Sequence, residues 1–113
     1  MARGDFNWIP FSHTFTAADP EHSVEFPIES ANDPIDDAYM LITAHNVSNQ
    51  GHQIIINNQH LPSWDIPIHS PGWQTWMDHI QPGILKKGMN SIRVVRTFND
   101  DFTTKDIVIH WRE

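Results

Sequence analysis

Gly51 to Arg96 reads GHQIIINNQHLPSWDIPIHSPGWQTWMDHIQPGILKKGMNSIRVVR, three apolar stretches parted by turn signals. The first, Ile54-Ile55-Ile56, is closed by Asn57-Asn58; asparagine tolerates left-handed backbone and bonds to its own main chain, so the pair marks a turn. Pro62, Pro67, Pro71 and Gly72 then break the chain into a loop, after which Trp73 to Met77 reads as a second strand. Leu85 to Asn90 forms another turn and feeds a third strand, Ser91 to Val95. Strands joined by tight turns and one long loop, without an intervening amphipathic helix, are an antiparallel β layout.

Outward from this stretch the same pattern continues. Val24, Phe26 and Ile28 alternate with polar positions and share a face, while Pro10 and Pro27 assign Asp5–Phe11 and Val24–Ile28 to sheet edges. Phe6, Trp8 and Pro10 fall together on one side of the first of these. Ala38 to Val47 is the longest apolar strand and the expected centre of a sheet, because both of its faces are largely apolar. Ser48 to Gly51 is expected to make the hairpin turn from it into Ile54–Ile56. In the last strand, Thr104 to Arg112, Ile107, Ile109 and Trp111 face one way. The expectation is an all-β, antiparallel sandwich of about eight strands, with at most one helical turn over Pro82–Lys86. Its core is expected to hold Ile42, Ile54, Ile56, Trp76, Ile92, Val94, Ile107 and Ile109.

A chain of 113 residues has the length of one domain and one core. Fourteen acidic against seven basic residues give a formal charge of −7, which offers no basic patch for phosphates and argues against nucleic acid as a partner. No apolar run approaches the ~20 residues of a membrane span. The opening Met-Ala-Arg-Gly-Asp lacks the apolar stretch of a secretory signal, so the default expectation is the cytoplasm, or export with a leader already removed. Without cysteine there are no disulfides, thiolate nucleophiles or thiolate metal sites.

The order of parts carries a resemblance. The string from His52 to Leu61, followed by Trp76, Leu85, Gly88, Asn90, Ile92 and Val94, fits "hxIxxNxxxL…W…L.xGxNxIxV" and resembles the galactose-binding-like jelly roll. That fold serves as a sugar-binding domain of some glycoside hydrolases and in many carbohydrate-binding modules. Asp65-Ile66-Pro67, Gly72 to Asp78 and the ending Val108 to Glu113 are similar to small archaeal domains of unassigned function, chiefly haloarchaeal. The resemblance spans residues 38 to 113 and implies a jelly-roll sandwich that serves binding or assembly.

Candidate functional residues cluster in the long loop. Trp64 and Trp73 could stack on a pyranose, with Asp65, Gln74, His60 and His69 bonding its hydroxyls; the alternative for a tryptophan here is the core between the sheets. Since Trp73 and Trp76 are three apart in a strand, they point to opposite faces. Eight histidines invite a metal reading, yet none of their spacings is a recognised ligand spacing, and solvated or hydrogen-bonded imidazoles are expected. Asn32, Asp33, Asp36 and Asp37 form an acidic loop. The resemblance implies a structural calcium there, recruiting Asp106 or Asp101 from the end of the chain, whereas a solvated turn explains the same residues without a cation. Asp65 and Asp78 could form an acid/base pair of glycosidase type, but paired carboxylates occur by chance in any acidic surface, and with no nucleophile elbow or phosphate loop the expectation is a protein that is not an enzyme. Two functions remain: a non-catalytic module binding a glycan through loop aromatics, or a structural protein whose exposed aromatics dock a partner protein or a second copy in a homo-oligomer.

Overall fold

The computed structural model describes residues 4–49, 52–61, 66, 68–97 and 99–112, with the backbone alone at 36, 37, 69–71 and 78. Eight strands follow in order: β1 (Gly4–Phe15), β2 (Glu21–Ile28), β3 (Ile35–Val47), β4 (Gln53–Ile56), β5 (Gln59–His60), β6 (His69–Ile80), β7 (Gly88–Val95) and β8 (Phe102–Arg112). They form two four-stranded sheets, β1-β8-β3-β6 and β2-β7-β4-β5, and every pairing is antiparallel. Among successive strands only β4 and β5 pair with each other; each other connection crosses from one sheet to the next, which is the wrapping of a jelly roll.

Alternation places the core. Ile42, Ile107 and Ile9 lie side by side across β3, β8 and β1, and Ile54, Ile92 and Val94 answer them from the other sheet, all buried. Phe11, Phe15, Phe26 and Phe102 fill the space between. Phe15 and Phe102 stack with their rings 4.5 Å apart. At ~1.5–3 kcal/mol per buried apolar side chain, this interior supplies the main driving force for folding. Both proline-marked strands are sheet edges and the long strand β3 is internal, as the sequence implies.

Two expectations are corrected. Trp76 pairs with Ile42 and so shares its inward side, but β6 is an edge strand and the indole overhangs the sandwich, 42% exposed. Among the described residues the buried tryptophan is Trp111, on the internal strand β8. β3 and β4 do not form the expected hairpin, because they belong to different sheets: turn-forming composition marks where a chain reverses, not which neighbour the next strand takes. The stretch over Pro82–Lys86 is turn rather than helix.

The asparagines and glycine of the motif are structural. Asn57 and Asn58 have φ of 51° and 63°, the left-handed pair that a two-residue hairpin between β4 and β5 requires. The Asn57 side chain donates to Asn90 Oδ1 (2.7 Å) and Ile84 O (2.8 Å), and accepts from the Ser91 N–H (2.9 Å). Buried Asn90 also accepts from the Lys86 N–H (3.0 Å) and donates to Lys86 O (2.8 Å). Gly88, at φ +86°, supplies the left-handed turn that brings this knot together.

A second polar knot joins the crossing at Ser48–Asn49 to the loop before β8. Buried Asp100 accepts the N–H groups of Ser48 (3.0 and 3.1 Å) and Asn49 (3.1 Å) and lies 2.6 Å from His52 Nε2. The Thr97 N–H donates to His52 Nδ1 (3.1 Å), so Nδ1 is the acceptor and Nε2 carries the proton given to Asp100. With His52 and Asp100 buried and bonded to main-chain groups of two loops, the knot's chemistry is that of a tie between them.

Candidate functional site

The two outer sheet faces differ in kind. On β2-β7-β4-β5 the outward positions are Glu21, Ser23, Glu25, Ser91, Arg93 and Gln53 together with Pro27, Met89, Val95 and Ile55, a mixed surface whose exposed large apolar side chain is Met89. On β1-β8-β3-β6 the register lines up outward side chains in rows across the strands. One row is Phe6, His110, Tyr39 and His79; the next is Trp8, Val108, Leu41 and Met77. Phe6, Trp8, Tyr39 and Met77 are all exposed. Exposed aromatic and apolar side chains standing together in register mark a candidate interaction surface.

Six residues along β3 from Tyr39, about 20 Å at the rise of a strand, a third row runs Thr14, Thr103, His45 and Trp73. Here β1 and β8 are both irregular, β1 taking an extra residue between Pro10 and His13 and β8 between Ile107 and Thr104. Bulges bend a sheet locally and re-aim its side chains. The result is a hollow of about 530 Å³ lined by Ser12, His13, Thr14, Trp73, Thr103, Thr104 and Lys105. Trp73 is half-exposed, its ring 5.0 Å from that of His45. Opposite it stand hydroxyls that are already engaged with one another or with main chain: Thr14 with Thr103 (3.4 Å), and Ser12 donating to Lys105 O (3.3 Å). Hydroxyl oxygens keep a lone pair for a further donor, so the hollow offers an indole face, three hydroxyls and one ammonium.

Of the residues singled out from the sequence, Trp73 is in this hollow. Gln74 follows it on β6, pairs with Ala44 and therefore faces inward, away from Trp73. His60 is exposed on β5, in the other sheet. Trp64 and Asp65 lie outside the described residues, as do the side chains of His69 and Asp78. Sequence reasoning missed Ser12, Thr14, Thr103 and Lys105, because only the β1–β8 pairing brings residues some ninety positions apart together; the pattern of hydroxyls in both strands was the available signal.

Among the described residues the acidic side chains do not converge on a cation site. The Asp33 carboxylate accepts the Lys87 N–H (2.9 Å) at the start of β7. Asp106 lies on β8 beside Pro10, six residues from Arg112, the partner of Ile35, and so about 20 Å from the Asp33 loop. The side chains of Asp36 and Asp37 are outside the described residues, and among described residues no three acidic or imidazole groups converge. A calcium held jointly by Asp33 and Asp106 does not fit this separation. At the β1–β2 corner, His13 and His22 stack with ring centroids 4.5 Å apart. Burial, and then the neighbouring His13, hold the His22 imidazole below its ordinary value of 6.5. Among described residues no helix is long and apolar enough to cross a membrane.

Strand order and surface together define an all-β jelly-roll domain of the architecture found in carbohydrate-binding modules. The chain belongs to DUF7383, a family of unknown function, which matches residues 5–113. No curated protein matches the sequence. Among solved structures it is similar to part of dimeric latent PorU from Porphyromonas gingivalis, with a TM-score of 0.74 and 8% identity over 99% of this chain and 13% of that one. It is also similar to part of the exo-β-1,3-galactanase from Phanerochaete chrysosporium, solved with β-1,3-galactotriose (TM-score 0.58, 10% identity, 96% of this chain and 29% of that one). A family 35 carbohydrate binding module from Clostridium thermocellum gives a TM-score of 0.51 at 11% identity, over 95% of this chain and 90% of that one. The chain thus spans a small fraction of the first two proteins and nearly all of the third. At these identities the likeness is one of fold.

Proposed function

We propose that this chain is a non-catalytic binding module that takes a glycan in the hollow beside Trp73. The observation that carries the reading is the pairing, in one hollow, of the half-exposed Trp73 indole with Ser12, Thr14, Thr103 and Lys105. A pyranose has an apolar face suited to an indole and a rim of hydroxyls that give and accept hydrogen bonds. The hollow supplies both, and nothing in it is arranged as a nucleophile with its base. The carbohydrate-binding module and the galactanase among the structures of similar fold support the reading as analogy alone. Trp64 and Asp65 belong to the segment leading into β6 and are read as an extension of the same site.

Titration of intrinsic tryptophan emission with β-1,3-galacto-oligosaccharides and with α- and β-gluco-oligosaccharides tests this. A saturable change in the wild type, abolished in Trp73→Ala and weakened in Thr103→Val, is expected. A wild type that answers to no glycan, or a Trp73→Ala chain that binds as well, overturns the reading. A weaker response in Trp64→Ala would extend the site into the loop.

A further inference from the structure

The extra residue that β8 takes between Ile107 and Thr104 leaves both of those side chains buried and turns Lys105 and Asp106, in succession, to the outer face. Ser12 fixes the main chain there by donating to Lys105 O (3.3 Å). Lys105 lines the hollow beside Trp73, whereas Asp106, opposite Pro10, does not. Among the described residues the Lys105 ammonium makes no ion pair or hydrogen bond. His13, the other titratable lining residue, sets its ring against His22 and Phe15. Around the hollow the described side chains therefore present one free ammonium and no carboxylate, in a chain whose acids outnumber its bases fourteen to seven.

We infer, resting on the glycan reading above, that the hollow takes an acidic glycan: a neutral unit stacks on Trp73, and the unit next to it gives its carboxylate or sulfate to Lys105. Register sets the spacing. Trp73 pairs with His45, and His45 with Thr103, two residues before Lys105 on β8, so the indole and the ammonium belong to strands two spacings, about 10 Å, apart. One ring on Trp73 leaves Lys105 to its neighbour, and the Thr103 hydroxyl stands on the same strand for the rim of that second ring. Charge sets how many acids the ligand carries. An ammonium holds an anionic oxygen in a charge-assisted bond about twice as strong as one between neutral groups. The −7 of the whole chain, by contrast, repels a glycan that is acidic at every unit. A saccharide with a single acidic unit beside a neutral one satisfies both.

Isothermal titration calorimetry of the full chain tests this with neutral galactose and glucose disaccharides, the same disaccharides carrying one uronic acid or one sulfate, and trigalacturonic acid. Expected is an affinity for a mono-acidic disaccharide at least about tenfold above that for its neutral counterpart, the scale of a bond to a charged group; the tighter of uronate and sulfate names the acid that is held. Trigalacturonic acid binds more weakly than the better mono-acidic ligand. Lys105→Met brings acidic and neutral disaccharides to within about twofold of each other and leaves the neutral affinity as it was, while Trp73→Ala abolishes both. Circular dichroism shows the variants folded. Neutral and acidic disaccharides that bind alike, an acidic preference that survives Lys105→Met, or a triacid that binds tightest overturns the inference and leaves the glycan reading standing. A chain that binds none of these saccharides overturns both.

Discussion

Replacing Asp100 with alanine removes the acceptor at the centre of the knot between the β3–β4 crossing and the loop before β8. Three donors lose their partner: the N–H groups of Ser48 and Asn49, and His52 Nε2–H. The His52 side chain is fully buried, so water cannot replace the carboxylate there, and a lost bond to a charged acceptor costs ~1.5–3 kcal/mol. The two main-chain donors lie nearer the surface and add about 0.5–1.5 kcal/mol each. The sum spans ~2.5–6 kcal/mol, and the cost of stripping one partner from a buried pair narrows it to ~3–5 kcal/mol. For a chain of this length that is a fall in Tm of roughly 12–20 °C. Urea unfolding followed by tryptophan emission measures it. Asp100→Asn keeps one acceptor oxygen but turns an amide N–H toward a donor, and falls between alanine and wild type. A double-mutant cycle with His52→Ala then gives a coupling of at least about 1.5 kcal/mol. An Asp100→Ala protein that loses less than about 1 kcal/mol would refute the reasoning, for the three donors would then have other partners.

Asn90→Ala removes the acceptor of the Lys86 N–H and of the Asn57 side chain, along with two donated bonds; the expected loss is ~2–3 kcal/mol, read by urea unfolding, with the m-value unchanged. For His22, the folded-state value lies below the ordinary one because of burial and the facing His13, with Asp19 opposing. The unfolded chain therefore binds the proton first as pH falls, and stability drops from about pH 6.5 downward while staying flat above. Thermal melts at pH 7.5 and 5.5 should show a smaller difference in His22→Gln than in the wild type; an equal difference would assign the loss to other groups.

Much of the fold was legible in the sequence because strand alternation is a local property. Val24-Phe26-Ile28 and Ile107-Ile109-Trp111 declare their inward faces by period two alone, Pro10 and Pro27 declare edges by lacking an N–H, and Asn57-Asn58 declares a left-handed turn. Sheet partnership is not local. Whether the strand after Ser48 pairs with its predecessor or crosses to the opposite sheet is decided by how the whole interior closes, which is why a turn was misread as a hairpin and the overhanging Trp76 as core. The candidate site is less local still. Trp73 could be picked out as an aromatic near a loop, but Thr14 and Thr103 become neighbours only through the β1–β8 register, across 89 residues. The aromatic face, too, takes its rows from four strands, each contributing two side chains. Sequence determined which residues face outward on each strand, since that follows from backbone geometry; only tertiary structure decided which outward residues stand together, since that follows from strand order.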